Sequence, residues 1–194
     1  MPSALEITRA LYGAWRFVRL DRGAMQWFEV SVGGFWRSFF AFAIVAPGYA
    51  VLKHIEHAEV PLSAGAPRIV IVDGISYVLQ IVAYPLAMVY LSRAIGRWDR
   101  YIGFIVALNW SVVLQMAVMV LAILLAASHA VPEAAGPRLV FAAWIAVLLY
   151  QWFVTLTALE VSGLIAAGAV ALDLLIGGIV DAVSYGLLQG PAAP

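Results

Sequence analysis

Residues 138–188 read RLVFAAWIAVLLYQWFVTLTALEVSGLIAAGAVALDLLIGGIVDAVSYGLL, an almost unbroken apolar run. As a single helix, about 50 residues would extend ~75 Å, more than twice the hydrocarbon thickness of a bilayer. The run must therefore turn back on itself. Glu160-Val161-Ser162-Gly163 is the polar, flexible interruption near its middle. It divides the run into two spans, 139–159 and 161–187.

Working outward, the rest of the chain has the same character. Of 194 residues, 64% are hydrophobic and 11% charged, with a mean hydropathy of +0.97. A soluble domain carries about 25% charged residues, so there is too little polar material here to coat a water-facing surface. Three more apolar runs, at 35–52, 69–92 and 101–128, complete five spans. Pro47-Gly48 predicts a kink in the first, and Pro85 lies in the second. The joints are a polar connector at 53–68, a charged loop with Arg93, Arg97, Asp99 and Arg100 around Trp98, and a short connector at 129–137 containing His129. The expected fold is all-α: an integral membrane bundle over 35–188, preceded by an amphipathic segment at 1–34 and followed by a disordered tail at 189–194.

The leading segment has a helix-start signature. Ser3 and Glu6 have the spacing of a capping box, in which each side chain satisfies the other's backbone amide. Beyond it, Ala4, Ile7, Leu11, Ala14, Trp15 and Val18 share one helical face, with Arg9, Tyr12, Arg16 and Arg19 opposite. An apolar stripe with Trp against an arginine face predicts a helix lying in the interface of an anionic leaflet. The alternative is packing on the rest of the protein, and the two are compatible. Asp21-Arg22-Gly23 predicts a turn, and 25–30 a short second surface helix.

Orientation follows from basic residues near the span ends. With the N-terminus inside, the inner side holds Arg9, Arg16, Arg19, Arg22, Arg37, Arg93, Arg97 and Arg100. The outer side holds Lys53, Arg68 and Arg138. Eight against three favours a cytoplasmic N-terminus, and five spans then put the C-terminus outside. All basic residues but Lys53 are arginine, a skew that points to a GC-rich bacterial genome and so to an inner membrane. There are no cysteines, which excludes disulfides and thiolate chemistry. Zero net charge gives no sign of a nucleic-acid partner.

Lipid satisfies no polar side chain, so polar residues inside spans carry the information. Asp73, Tyr77, Gln80 and Tyr84 line one face of the second span, with Ser76 off it. Ser111 and Gln115 are one turn apart in the third, with Asn109 elsewhere. Trp144, Leu148, Gln151 and Thr155 share a stripe in the fourth, and Asp173, Gly177, Asp181 and Tyr185 in the fifth. Asp173 is the most costly, because an aspartate midway along a span costs roughly 2.5–3.5 kcal/mol to insert. A partner on another helix, a proton or a water-filled cavity must offset that. Read functionally, these residues form a polar pathway built on Asp173. Read structurally, they are interhelical hydrogen bonds that fix helix register. The glycines and alanines of the fifth span predict that it sits centrally or forms a homo-oligomer interface.

His54, Glu56, His57 and Glu59 cluster in the 53–68 connector. Two histidines at i,i+3 with carboxylates have the character of zinc ligands, but nothing else supports a metal, and the segment reads as a solvated loop. No cofactor motif, Ser-His-Asp set or phosphate-cradling glycine loop occurs.

The layout over residues 35–187 resembles the Yip1 superfamily. It shares the cytoplasmic N-terminal segment and five close spans with short connectors, with Phe35-Trp36-Arg37 at the first span and the abrupt turn at Glu160. Val32-Gly33-Gly34-Phe35 stands where eukaryotic members carry an acidic-aromatic Gly-Pro signature, and no functional residues transfer. The resemblance implies a non-enzymatic membrane scaffold or interaction protein, acting through anionic lipids, membrane-protein partners or a second copy. The alternative is a small transporter or channel that uses the stripes around Asp173.

Orientation is checked by reporter fusions that are active only in the cytoplasm. A fusion at Gly96 should give strong signal and one after Pro194 little; strong signal after Pro194 would overturn the five-span topology.

Overall fold

The computed structural model describes residues 1–59, 62–128 and 131–189. Its helices are α1 (Ala4–Val18), α2 (Val32–Ser38), α3 (Phe40–Glu59), α4 (Ala66–Ala94), α5 (Tyr101–Ala127), α6 (Gly136–Ala158) and α7 (Gly163–Gln189), and no strand occurs among the described residues. Five stretches are long and apolar enough to cross a bilayer: Val32–Ala58, Ala66–Ala94, Trp98–Ala127, Glu133–Ala158 and Gly163–Gln189. This is the layout of a multi-pass membrane protein, as the apolar runs predict. Of the tail expected at 189–194, Gln189 closes α7, and residues 190–194, like His129, lie outside the described residues.

The turn in the long apolar run falls where the sequence places it. Helix α6 ends at Ala158, Glu160 takes a left-handed conformation (φ 51°), and α7 begins at Gly163. Arg100 Nη2 meets Glu160 Oε2 at 2.9 Å, tying this turn to the start of α5. The 53–68 connector is shorter than expected. Helix α3 runs unbroken through Pro47-Gly48 and on to Glu59, because polar side chains in its last turns find partners on α4 and α7. The first span is interrupted at Phe39, between α2 and α3.

The central helix is α5, not α7. From Tyr101 to Ser111 nearly every side chain of α5 is buried, with Phe104, Ile105 and Trp110 at 0–1% exposure. Lipid also solvates an apolar helix, but here protein supplies the cover, and Asn109 and Ser111 within the stretch find polar partners in it. Helices α1, α2, α3 and α6 provide it, while α7 packs on α4 and α6. The glycines in the middle and second half of α7 do not bring another helix close, since a Cβ added at Gly168, Gly177, Gly178 or Gly186 would meet nothing within 4 Å, whereas Ala166 and Ala169 are fully buried.

Helix α1 is bound to the bundle by one flank. Ser3 Oγ accepts from the Glu6 amide at 3.1 Å, but the other half of the capping box is absent. The Glu6 carboxylate instead receives Arg37 Nε at 2.8–2.9 Å, joining α1 to α2. The buried residues are Ala10, Gly13, Ala14 and Phe17, a face rotated from the expected apolar stripe. The reason is steric, since small residues let α1 lie close to α5 and α6. Phe17 fills the space between Phe28 (5.8 Å, stacked) and Phe153 (6.1 Å, edge-on). Tyr150 OH donates to the Ala14 carbonyl at 3.0 Å.

The turn at Asp21 forms as predicted, whereas the helix expected at 25–30 is a 3-10 turn at Arg22–Trp27. The Asp21 carboxylate accepts from the Gly23 amide at 2.8 Å and pairs with Arg16. Those two contacts, the amide first, hold its carboxyl below the usual carboxylate range. Ser31 caps α2 by accepting from the Gly34 amide at 2.9 Å. Only glycine fits there, because a Cβ at Gly34 would lie 2.0 Å from the Glu29 carbonyl oxygen.

Phe17→Ala should cost about 3–5 kcal/mol in denaturant unfolding of the detergent-solubilised protein, and should speed tryptic cleavage after the exposed Arg19 and Arg22 by loosening the backbone around them. Trp15→Ala, at an exposed position, should stay within about 0.5 kcal/mol. Equal effects would contradict the docking of α1 through Phe17.

Candidate intramembrane polar cavity

The polar stripes converge because of how the five spans are ordered. Helix α5 lies against α3 and α6, α6 against α7, and α7 against α4. Helices α3 and α4 do not close the ring by tight packing; long polar side chains bridge them. Inside is a cavity of about 190 Å³ to which all five spans contribute. Tyr49 comes from α3, Tyr77, Gln80 and Tyr84 from α4, Asn109 and Gln115 from α5, Gln151 from α6 and Asp173 from α7. Phe42, Val45, Leu108 and Met116 form apolar wall.

Asp173 has its partner on a neighbouring helix: Gln151 Nε2 donates to its Oδ2 at 2.6 Å. Tyr84 OH donates to the Ala169 carbonyl at 3.2 Å, one turn before Asp173. Tyr77 OH donates to the Phe42 carbonyl, and its ring lies 4.6 Å from that of Tyr49. Asn109 Nδ2 donates to Ser38 Oγ at 2.9 Å, linking α5 to α2. Two polar atoms in the lining, the Gln115 amide nitrogen and the Tyr49 hydroxyl, are buried with no protein partner.

Towards the end of the bundle where α3 gives way to α4, the cavity adjoins a charged cluster. Gln80 Nε2 donates to Asp181 Oδ1 at 3.2 Å, and Lys53 Nζ approaches the same oxygen at 3.4 Å. Lys53 also meets Glu56 Oε2 at 2.9 Å, and Tyr185 OH donates to Glu56. His57 Nε2 lies 3.6 Å from Asp73 Oδ1. Ser76 on α4 and Ser184 on α7 share a hydrogen bond nearby.

The residues singled out from the sequence therefore separate into groups. Tyr77, Gln80, Gln115, Gln151 and Asp173 line the cavity. Asp73 and Asp181 belong to the charged cluster. Arg9, Arg16 and Arg19 lie on α1 or its C-terminal cap, where Arg9 and Arg19 are exposed and Arg16 is held by Asp21. Trp144 leaves its expected stripe and is 40% exposed, because α6 turns the Gln151–Thr155 side inward. Ser111 faces Tyr150 Oη at 3.0 Å rather than the cavity.

Sequence reasoning missed the α3 contribution. Tyr49, Lys53 and His57 recur at i,i+4, the same signal that marks the other stripes, but the polarity of 53–68 reads as loop. His54 is exposed while His57 is partly buried, so the two do not converge as ligands. No group of three or more His, Asp or Glu that could hold a metal occurs among the described residues.

No protein family, curated protein or solved structure matches this chain. The site is therefore defined by its own chemistry: one carboxylate, several amides and three phenols in an otherwise apolar bundle.

Asp173→Leu should lower stability by about 1–3 kcal/mol, because Gln151 is left without its acceptor. Asp173→Asn should lose less, since an amide oxygen still accepts. Adding Gln151→Leu to Asp173→Leu should recover part of the loss. Strictly additive losses in detergent unfolding would show that the two side chains are not coupled.

Proposed function

We propose that this protein is a non-enzymatic, Yip1-like membrane scaffold of a bacterial inner membrane. In this reading its N-terminal layer grips the anionic cytoplasmic leaflet, its C-terminus is outside, and it acts through lipids and membrane-protein partners. The supporting observation is the position of α1. One flank of the helix, Ala10, Gly13, Ala14 and Phe17, is buried against the bundle. The adjoining flank leaves Trp15 and Val18 about half exposed, and beyond it Arg9 and Arg19 are exposed. Among the described residues no ion pair engages either arginine.

A helix held rigidly with apolar and cationic flanks side by side suits the headgroup boundary. Apolar side chains enter the acyl region there, and guanidinium groups meet phosphate. Trp36 and Trp98, 70% and 46% exposed, extend the aromatic belt expected at a membrane interface. Arg37 and Arg100 are already paired with Glu6 and Glu160; of the inner arginines without an ion pair among the described residues, Arg9 and Arg19 stand beside the apolar flank of α1.

The test uses the full-length protein, released from lipid nanodiscs of mixed composition into a native mass spectrometer. Anionic lipids should be retained over zwitterionic ones. Arg9→Gln and Arg19→Gln should each remove about 1 kcal/mol of that preference. Equal retention of both lipid classes by the unmodified protein would sink the proposal.

A further inference from the structure

The charged cluster shows how this chain accommodates an ammonium group near the membrane interior. Lys53 Nζ sits 3.4 Å from the Asp181 carboxylate and 5.9 and 5.6 Å from the ring centroids of Tyr49 and Tyr185. Two carboxylates, Glu56 at 2.9 Å and Asp181, and the faces of two tyrosines together satisfy the cation. The cavity offers part of that chemistry one step deeper. It has a carboxylate, Asp173, and the rings of Tyr77 and Tyr84, yet no Lys, Arg or His lines it. Asp173 Oδ1 makes no hydrogen bond among the described residues. The Gln115 amide and the Tyr49 hydroxyl are buried without partners, and unsatisfied polar atoms within a bilayer call for an occupant.

Charge selects the sign of that occupant. The groups facing the cavity and its adjoining cluster are Glu56, Asp73, Asp173 and Asp181 against Lys53, with His57 the remaining titratable side chain. The balance favours a cation. Size and wall chemistry narrow the choice further. A hard metal ion needs six or more closely set oxygens, whereas this cavity has one carboxylate and much apolar wall. A volume of about 190 Å³ suits a small molecule with a charged end and a short apolar body.

A way in is also visible. A second cavity of about 330 Å³ adjoins the first, and the two share Gln80 and Asp173. It runs along α7 past Gly177 to Asp181, whose side chain is 43% exposed. Gly177 lies one turn from each aspartate, and a Cβ there would meet nothing within 4 Å. The missing side chain leaves the path open.

We propose that the five-helix cavity binds a small protonated amine, its ammonium on Asp173 and its body against Tyr77 and Tyr84, reached along α7 past Gly177. This goes beyond the scaffold role and does not depend on the lipid contacts of α1.

The absence of cysteine makes the test direct. A single Gly177→Cys variant, purified in detergent, is treated with a thiol reagent carrying an aminoethyl cation and, separately, with its sulfonatoethyl anion counterpart. The cation should react about tenfold faster, ethylammonium chloride should slow it, and Asp173→Asn in the same background should abolish the ethylammonium protection while leaving the part of the charge preference that comes from Asp181. Equal rates with the two reagents, or no protection by ethylammonium beyond that of sodium chloride, would overturn the proposal. The native chain supplies a second readout that needs no Gly177 variant. Ethylammonium should raise its Tm above that in sodium chloride of equal strength, and Asp173→Asn should remove the increase. A native Tm that does not respond would overturn the proposal equally.

Discussion

An amide or carboxylate surrounded by hydrocarbon has no water to bond, so its partner must come from another part of the protein. That constraint orders the membrane region of this chain. Asp173 on α7 is met by Gln151 on α6, and Asp181 by Gln80 on α4 and Lys53 on α3. Asp73 on α4 faces His57 on α3. Each contact contributes only a kcal/mol or so, but each fixes the rotation of two helices at once. A helix turned by one residue would put its carboxylate into lipid. The cavity at the centre is the space enclosed when five polar faces turn inward together.

The other end of the bundle obeys a different rule. The first half of α5 is buried on nearly every side. The N-terminal layer covers it with small residues, Ala10, Gly13 and Ala14, and with one large one, Phe17. Polar contacts then lock the layer in place: Glu6 with Arg37, Asn109 with Ser38, Tyr150 with the backbone of Ala14. Covering α5 and presenting Trp15 and Arg19 outward are consequences of one orientation of α1. The helix thus serves the core and faces its surroundings at the same time.

The two ends are coupled through α5 and α6. Gln115 reaches the cavity from α5 while Ser111, one turn earlier, meets Tyr150 beneath α1. On α6, Tyr150 faces α1 and Gln151 faces Asp173. Adjacent residues on one rigid helix therefore anchor both the N-terminal layer and the polar cavity. A change in the seating of α1 has a short path of packed side chains by which to reach Asp173.

Apolar run length, the turn at Glu160, the five spans and the inward stripe of Tyr77, Gln80, Gln151 and Asp173 were all legible in the sequence. They are local properties, set by helical period and by the cost of polar groups in lipid. The extension of α3 to Glu59 was only faintly legible, in the i,i+4 recurrence of Tyr49, Lys53 and His57, because Lys53, Glu56 and His57 look like loop residues until Asp181, Tyr185 and Asp73 are placed beside them. The centrality of α5 was hidden for a similar reason. Small residues in α7 permit close packing but do not require it, and an apolar helix is solvated equally well by lipid or by protein, so hydropathy does not distinguish the central span. The buried face of α1 departed from its apolar stripe because shape, and not hydrophobicity alone, decides which flank fits a groove. Periodicity assigns each side chain a direction around its own helix. Which helix lies in that direction depends on contacts between residues more than 100 positions apart, such as Lys53 and Asp181, and only the folded chain brings those together.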